Sequence, residues 1–354
     1  MLFVNKKYES LDKLLNERLS QNEIDEFSDW LANSDEADEL ENGKLDEYKN
    51  KLQGASLANK YYSDLFDGHG IDKDTAEKFI TICAKYVAKT KDVKIDDILE
   101  KCGKFKFSAL KKYGNIFDEF KIDHGLGASL AELKNTSAKG KKKRSQEGEF
   151  EVLLRFFLDG GGSVPDSRGD VKCSEGVIEV KASKDARPGG SYKDSSMIFS
   201  KIDEAINKNI TNRSTAKYNG AEPLKAYFDN HIEDLENLEA ATIAEAVVEG
   251  VCDLYGISSD EDKNTLKTSA KEYFTAVNYN LLKNLIGLTE LAAYTLLSAF
   301  DYIIFFKDTG GKYKYYDKEE LFKFGSLASE LHITAIGAGK NDGDAVAKIG
   351  LKQL

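Results

Sequence analysis

The 354-residue chain has few of the residues that build disulfide-rich, zinc-ribbon and collagen-like proteins. Its four cysteines form no CxxC pair, which excludes a disulfide framework and a zinc ribbon. Three prolines and 28 glycines exclude collagen-like repeats, and four isolated histidines form no HExxH motif. With 41% apolar residues the chain can build one large core or two modest ones, and we expect a reduced, intracellular protein.

Long apolar runs are also missing. The N-terminal segment MLFVNKKYES lacks the apolar centre of a secretory signal. Residues 285–306 come nearest to a membrane span, but Glu290 and Asp301 interrupt them, and the pattern predicts a buried helix that leads into a strand. We therefore expect no membrane role and a cytoplasmic location. The ratio of 44 lysines to 6 arginines is typical of an AT-rich genome, such as that of a phage.

Negative charge is concentrated in one N-terminal segment. Residues 9–47 carry 14 acidic against 3 basic residues, which accounts for the whole net charge of −11. This segment predicts a solvated helical face, with a partner-binding or autoinhibitory surface as the alternative. The remaining residues are neutral overall, so they can present a local basic face to a polyanion.

Such a basic face is predicted at residues 134–144, where six basic residues occur without an acid. Five of the six arginines lie within residues 144–213. The planar guanidinium group suits phosphates and guanine edges, so this window indicates nucleic-acid binding. A solvated linker is the alternative interpretation of the lysine run.

Apolar periodicity and composition divide the chain into two predicted domains. Residues 1–135 show helical spacing and predict an α-rich domain that recognises DNA or a partner. The Lys-, Gly- and Ser-rich residues 135–145 mark the boundary. Residues 136–354 predict an α/β domain with a mixed sheet and a helical insertion at about 222–300. We expect helices at 148–158 and 195–209, and strands at 170–173, 177–182, 302–306, 312–316, 332–336 and 345–351.

The most informative stretch is residues 165–183, PDSRGDVKCSEGVIEVKAS. Side chains alternate along a strand, so Ile178 and Val180 point to one face. Glu179 and Lys181 then point to the other face. This strand therefore presents a carboxylate and an ammonium group side by side.

A hairpin brings a second carboxylate to the same face. A two-residue turn, taken as Glu175-Gly176, keeps Asp170 on the face of Glu179 and Lys181. Converging carboxylates repel each other unless a cation lies between them, and oxygen ligands suit Mg²⁺ or Mn²⁺. The alternative is an exposed hairpin face with alternating charges.

The helix predicted at 148–158 contributes a third carboxylate. Glu149 lies near the centre of its apolar arc, whereas Glu151 lies nearer the polar edge. Because burying an unpaired carboxylate is unfavourable, Glu149 should have a cation or a hydrogen-bond donor as its partner. Glu149 is thus the first candidate for a site residue on this helix, and Glu151 is the second.

The order of an acidic helix, Gly169-Asp170, a short hairpin and Ile178-Glu179-Val180-Lys181 resembles the PD-(D/E)xK nuclease superfamily. This is the fold of type II restriction endonucleases and of many phage and repair nucleases. The resemblance covers about residues 145–210, and the strands after residue 300 are expected to complete a restriction-endonuclease-like mixed sheet. A literal Pro165-Asp166 is also present, so Asp166 remains an alternative to Asp170. The helical stretch 222–300 departs from the minimal fold, as an insertion or a specificity module.

The resemblance implies a Mg²⁺-dependent DNA endonuclease, in which Mn²⁺ substitutes for Mg²⁺. Asp170, Glu179 and the carbonyl group of Val180 would hold the ion, and Glu149 would help directly or through water. Lys181 would position or deprotonate the attacking water and offset developing negative charge. The candidate contacts to the DNA backbone are Lys141, Lys142, Lys143, Arg144, Arg168, Arg187 and Lys193.

Two other functions stay open from the sequence. One is a nucleic-acid-binding or assembly protein with a degenerate nuclease core, although the intact Asp170, Glu179 and Lys181 argue against it. The other is an exonuclease or a junction resolvase. Either region 1–135 or region 222–300 is expected to form a wall of the DNA cleft or the interface of a homodimer. The N-terminal region is favoured, because the basic run joins it to the helix at 148–158.

Overall fold

The chain forms two compact units. The first contains Met1–Gly176 and Thr309–Gly311, and the second contains Val177–Asp308 and Lys312–Leu354. The predicted domain boundary at residue 135 lies outside the residues that the structure describes. The predicted α/β domain contributes residues to both units. This computed structural model describes residues 21–33, 49, 52, 56, 71, 73–90, 93–133, 148–164, 169–182, 186, 196–206, 223–338 and 345–352.

The described part of the first unit is mainly helical, and phenylalanine rings build its core. Phe79 stacks on Phe156 with ring centroids 4.0 Å apart, and Phe120 stacks on Phe157 at 5.0 Å. A short strand, β1, lies in the segment that was predicted to be α-rich. The elements are α1 (Gln21–Asn33), α2 (Lys73–Lys89), α3 (Ile95–Leu99), a 3₁₀ turn (Phe107–Ala109), β1 (Tyr113–Asn115), α4 (Ile116–Glu119), α5 (His124–Ala131), α6 (Glu151–Phe157) and β2 (Val171–Cys173).

The second unit combines strands with a set of helices between them. The helical stretch predicted at 222–300 is present as four helices. Two helices approach closely at Gly250, where a Cβ atom would lie 2.5 Å from the Cα atom of Ile198. The elements are β3 (Gly176–Lys181), α7 (Ser196–Ala205), α8 (Pro223–Glu236), α9 (Ala240–Tyr255), α10 (Asp260–Tyr273), α11 (Tyr279–Leu297), β4 (Tyr302–Phe306), β5 (Lys312–Asp317), a 3₁₀ turn (Glu320–Phe322), α12 (Phe324–Glu330), β6 (Leu331–Ala338) and β7 (Ala345–Leu351).

Within the second unit, three strands are neighbours in a mixed sheet in the order β5-β4-β3. Strands β3 and β4 are parallel, with Glu179 beside Ile303 and Lys181 beside Phe305, and β4 and β5 are antiparallel. Parallel neighbours require a crossover connection, and helices α7 to α11 lie in that connection. The prediction of an α/β class with a mixed sheet is therefore confirmed.

The last two strands do not join this sheet, contrary to the sequence-based expectation. Strands β6 and β7 pair with each other in a separate antiparallel sheet. Helix α11 packs against them at Gly287, where a Cβ atom would meet the side chains of Ile333 and Ala347. Of the described strands after residue 300, β4 and β5 join the sheet of β3, whereas β6 and β7 pack Ile333 and Ala347 against α11.

The prediction for residues 285–306 is confirmed. Helix α11 is buried along most of its length, and it is followed by the buried strand β4. Among the helices of the described residues, none is both long enough and apolar enough to cross a membrane.

Candidate active site

Glu179 and Lys181 lie on one face of β3 and form an ion pair. The Nζ atom of Lys181 donates to Oε1 of Glu179 at 2.6 Å. The two side chains are only 14% and 5% exposed, for Lys181 and Glu179 respectively. Ile178, which alternates with them, is fully buried on the other face. The structure thus brings together two of the site residues that the alternation predicted.

Formation of this shielded ion pair has a large desolvation free energy. Removing a carboxylate and an ammonium group from water costs several kcal/mol per ion, and their attraction offsets that loss only when the geometry is good. Buried ion pairs therefore contribute little to stability, and an apolar pair of similar volume is often as stable. Because such a pair adds little to stability, it marks a candidate functional site.

Helix α11 adds a tyrosine that the sequence analysis did not select. The hydroxyl group of Tyr294 donates to the same Oε1 atom of Glu179 at 3.1 Å. The Nζ atom of Lys181 lies 5.6 Å from the centroid of the Tyr294 ring, within cation–π range. Tyr294 is 115 residues from Glu179 in sequence, inside the stretch that was treated as an insertion. Its signal in the sequence was a hydroxyl-bearing ring within the largely apolar run LAAYTLL at 291–297.

Asp170 belongs to the first unit and directly precedes β2. Its backbone carbonyl group accepts a hydrogen bond of 2.9 Å from Nη2 of Arg155, a buried side chain on α6. This bond fixes the backbone at the start of the strand. The alternative ligand Asp166 lies outside the described residues.

The hairpin turn consists of Ser174 and Glu175, one residue earlier than predicted. Strand β2 ends at Cys173 and β3 begins at Gly176. The Ser174 hydroxyl group donates to Asp159 at 3.0 Å, and Glu175 accepts from the backbone N–H of Ser108 at 2.9 Å. These contacts select the turn position. The turn has two residues, which is the length that the sequence argument assumed.

The structure corrects the argument for Glu149. The helix begins at Glu151, because Phe150 adopts a left-handed conformation with φ of 69°, so Glu149 lies in the preceding turn and is partly exposed. Glu151 is the buried carboxylate of α6. Its Oε1 atom accepts from the backbone N–H of Gly148 at 2.6 Å, and its Oε2 atom lies 3.9 Å from Nη2 of Arg155. Glu149 was chosen over Glu151 because it was expected to be buried on the apolar face. The structure shows that Glu151 is the buried residue.

The site contains oxygen atoms, the type of ligand that hard divalent cations bind. The carboxylates of Glu179 and Asp170 are oxygen ligands, which Mg²⁺ and Mn²⁺ prefer. Within the described residues, however, no group of three or more His, Cys, Asp or Glu side chains is placed to hold a metal ion. Because Lys181 and Tyr294 share one oxygen of Glu179, a cation bound there competes with the ammonium group for the carboxylate.

A second buried carboxylate lies on α11, one turn before Tyr294. Oε2 of Glu290 accepts from the backbone N–H of Ala347 at 3.0 Å, and its Oε1 atom has no hydrogen-bond partner among the described residues. Burial raises the pKa of Glu290 to about 7, and the hydrogen bond from Ala347 opposes this shift. Burial also raises the pKa of Tyr255, with smaller contributions from Glu290 and Tyr294. Helix α11 thus carries two polar groups in this region: Tyr294, which binds Glu179, and Glu290 one turn earlier.

The predicted DNA contacts belong to segments outside the described residues. All seven lie outside the described residues, and they stay predictions: Lys141, Lys142, Lys143, Arg144, Arg168, Arg187 and Lys193. Most of the acidic segment 9–47 also lies outside the described residues, which include its helix α1.

Comparison with protein-family models, with curated proteins and with solved structures finds no match to this chain. The mixed α/β architecture and the Glu179–Lys181 pair are structural observations. Membership of the PD-(D/E)xK superfamily stays a prediction from the sequence resemblance of residues 145–210.

Proposed function

We propose that the protein is a Mg²⁺-dependent DNA endonuclease of the PD-(D/E)xK type. The observation that carries the proposal is the shielded Glu179–Lys181 ion pair on β3. Three features of the chain support it further. The pair follows a hairpin with a two-residue turn, its strand has a parallel neighbour across a helical crossover, and an acidic helix precedes the hairpin.

In this proposal the carboxylates of Asp170 and Glu179 and the carbonyl group of Val180 hold the cation. When bound, Mg²⁺ polarises the scissile phosphate and lowers the pKa of its water ligand. Glu151, rather than Glu149, is the buried helix carboxylate that could support these ligands. The reaction is in-line hydrolysis of a phosphodiester bond.

Lys181 has two roles in the proposed reaction. Without a cation, its ammonium group neutralises Glu179 at 2.6 Å. In the proposed reaction its ammonium group would orient the attacking water and offset negative charge that develops on the phosphate. Removal of this group should reduce the rate of cleavage by about 100-fold or more.

A second candidate function is a DNA-binding protein with a degenerate nuclease core. The observation that favours it is that Lys181 already neutralises Glu179, while the described residues contain no cluster of three potential metal ligands. This alternative predicts DNA binding without cleavage and without a dependence on Mg²⁺.

The experiment is to incubate the full chain with supercoiled and linear DNA, with Mg²⁺ or with EDTA, and to map the ends. Lys181→Met and the double variant Glu179→Gln/Lys181→Met are compared with Lys314→Met. Lys314 is a suitable control because it lies on β5 of the same sheet and forms an ion pair with Glu330 of helix α12. The double variant leaves no unpaired buried charge, so its fold should be retained.

The proposal expects Mg²⁺-dependent cuts by the wild type and by Lys314→Met, and none by the other two variants. Discrete fragments indicate site-specific cleavage, whereas progressive shortening indicates an exonuclease. Binding without cutting supports the degenerate core, and undiminished cutting by Lys181→Met excludes the proposed site.

A further inference from the structure

Two donors converge on one oxygen atom of Glu179. Lys181 binds Oε1 at 2.6 Å and Tyr294 binds the same atom at 3.1 Å. The Oε2 atom has no such hydrogen bond within the described residues. One carboxylate oxygen is thus held by two donors, and the other accepts no hydrogen bond from the described residues.

Tyr294 is well placed to hold that orientation. Its ring centroid lies 5.8 Å from that of the fully buried Phe300 and 5.6 Å from the Nζ atom of Lys181. Tyr294 lies in the last turn of α11, a helix of 19 residues that packs against β6 and β7 at Gly287. A rigid element therefore carries the hydroxyl group to the carboxylate, whereas Lys181 reaches it through a flexible side chain.

The two donors differ in what a cation does to them. A divalent cation repels the ammonium group of Lys181, but it leaves the neutral hydroxyl of Tyr294 free to keep its hydrogen bond to Glu179. Carboxylates that ligate metals are commonly oriented by such outer hydrogen bonds, and loss of one typically lowers metal affinity by about 10- to 100-fold.

We infer that Tyr294 is a positioning residue, which fixes the Glu179 carboxylate through Oε1 and so presents Oε2 to a divalent cation. The inference rests on the proposed metal site at Glu179. It assigns part of that site to helix α11, which lies in the stretch that resembled no part of the minimal nuclease core.

The alternative is that Tyr294 only satisfies a buried carboxylate, in which case its hydroxyl group affects stability and nothing else. Tyr294→Phe separates these roles, because it removes the hydroxyl group and keeps the ring beside Lys181. Tyr273→Phe is a matched control in the same unit. The partly buried hydroxyl of Tyr273 accepts from Asn284 at 3.2 Å, and no contact joins it to Glu179.

The measurement is Mg²⁺ and Mn²⁺ binding to the full chain by calorimetry without DNA, together with thermal unfolding in EDTA. We expect Tyr294→Phe to weaken cation binding by about 10-fold or more and Tyr273→Phe to leave it unchanged. For an active wild type, the Mg²⁺ concentration for half-maximal cleavage should rise by the same factor while the KM for DNA stays constant.

Three outcomes overturn the inference: equal cation affinity of Tyr294→Phe and the wild type, an equal loss in Tyr273→Phe, and no cation binding by the wild type. Cation binding that depends on Tyr294, in a protein that does not cleave DNA, supports the inference while the proposed endonuclease function fails. The two proposals can therefore fail separately.

Discussion

Glu290 makes the stability of the second unit depend on pH. Its carboxyl group is completely buried, and burial raises its pKa from 4.5 to about 7. The folded state therefore favours the protonated form. The stabilisation by this proton is fully present below pH 4.5 and is lost as the pH rises through about 7.

The magnitude follows from the shift of about 2.5 pH units. At about 1.4 kcal/mol per unit, ionisation of Glu290 destabilises the fold by about 3 kcal/mol in the limit of high pH. Between pH 5 and pH 8 the expected change is about 2 to 3 kcal/mol. Glu290→Gln keeps the shape and removes the ionisation, so this part of the pH dependence should disappear.

The assay is urea unfolding at pH 5 and at pH 8, with hydrogen exchange of the Ala347 amide as a local probe. This amide is suitable because it donates to Glu290. Glu290→Gln should match the wild type at pH 5 within about 1 kcal/mol and exceed its stability by about 2 to 3 kcal/mol at pH 8. Glu236→Gln, which removes an exposed carboxylate at the end of α8, controls for the change in net charge.

Parallel pH profiles for the wild type and Glu290→Gln would refute the reasoning, because the carboxyl group would then titrate equally in the folded and unfolded chains. A variant that is less stable than the wild type at pH 8 would refute it too. That result would mean that the ionised carboxylate is stabilised in the fold by a donor that the amide cannot replace.

Three further outcomes are expected. Lys181→Met should still bind DNA in a filter or anisotropy assay, since the lost group acts in hydrolysis. Neutralising all four basic residues at 141–144 should reduce the slope of log K against log salt by up to about 3.6, and an unchanged slope would identify the run as a linker. Gly250→Ala should destabilise the chain by about 1 to 3 kcal/mol, because the new Cβ meets Ile198. Gly325→Ala, with open space around its Cβ position, should have little effect in the same unfolding assay.

Much of the secondary structure was determined by local sequence. Apolar periodicity predicted the buried helix and strand at 285–306, and alternation along β3 placed Glu179 and Lys181 on one face. Both patterns repeat within a few residues, since side-chain direction follows directly from backbone geometry. Local sequence was therefore sufficient to select the pair, although it could not show that the two side chains bind each other.

The start of helix α6 was decided by tertiary contacts. The sequence GEFEVLLRFFL favours a helix from Gly148, but the backbone N–H of Phe150 bonds to the carbonyl group of Ala131 at 2.9 Å. The Phe150 ring is also buried, 6.1 Å from that of Phe117. These contacts hold Phe150 in its left-handed conformation, so the helix begins at Glu151. Glu151 is therefore the buried carboxylate, and Glu149 is partly exposed.

The complete polar site was also beyond local sequence. Tyr294 reaches Glu179 across 115 residues, and Glu290 is buried because β7 packs against α11 and donates the Ala347 amide. Likewise, β6 and β7 had strand patterns, but their sequence did not state which strands they would pair with. The alternation and periodicity of a segment depend on its own residues, whereas strand partners and site neighbours depend on which distant surfaces bury each other.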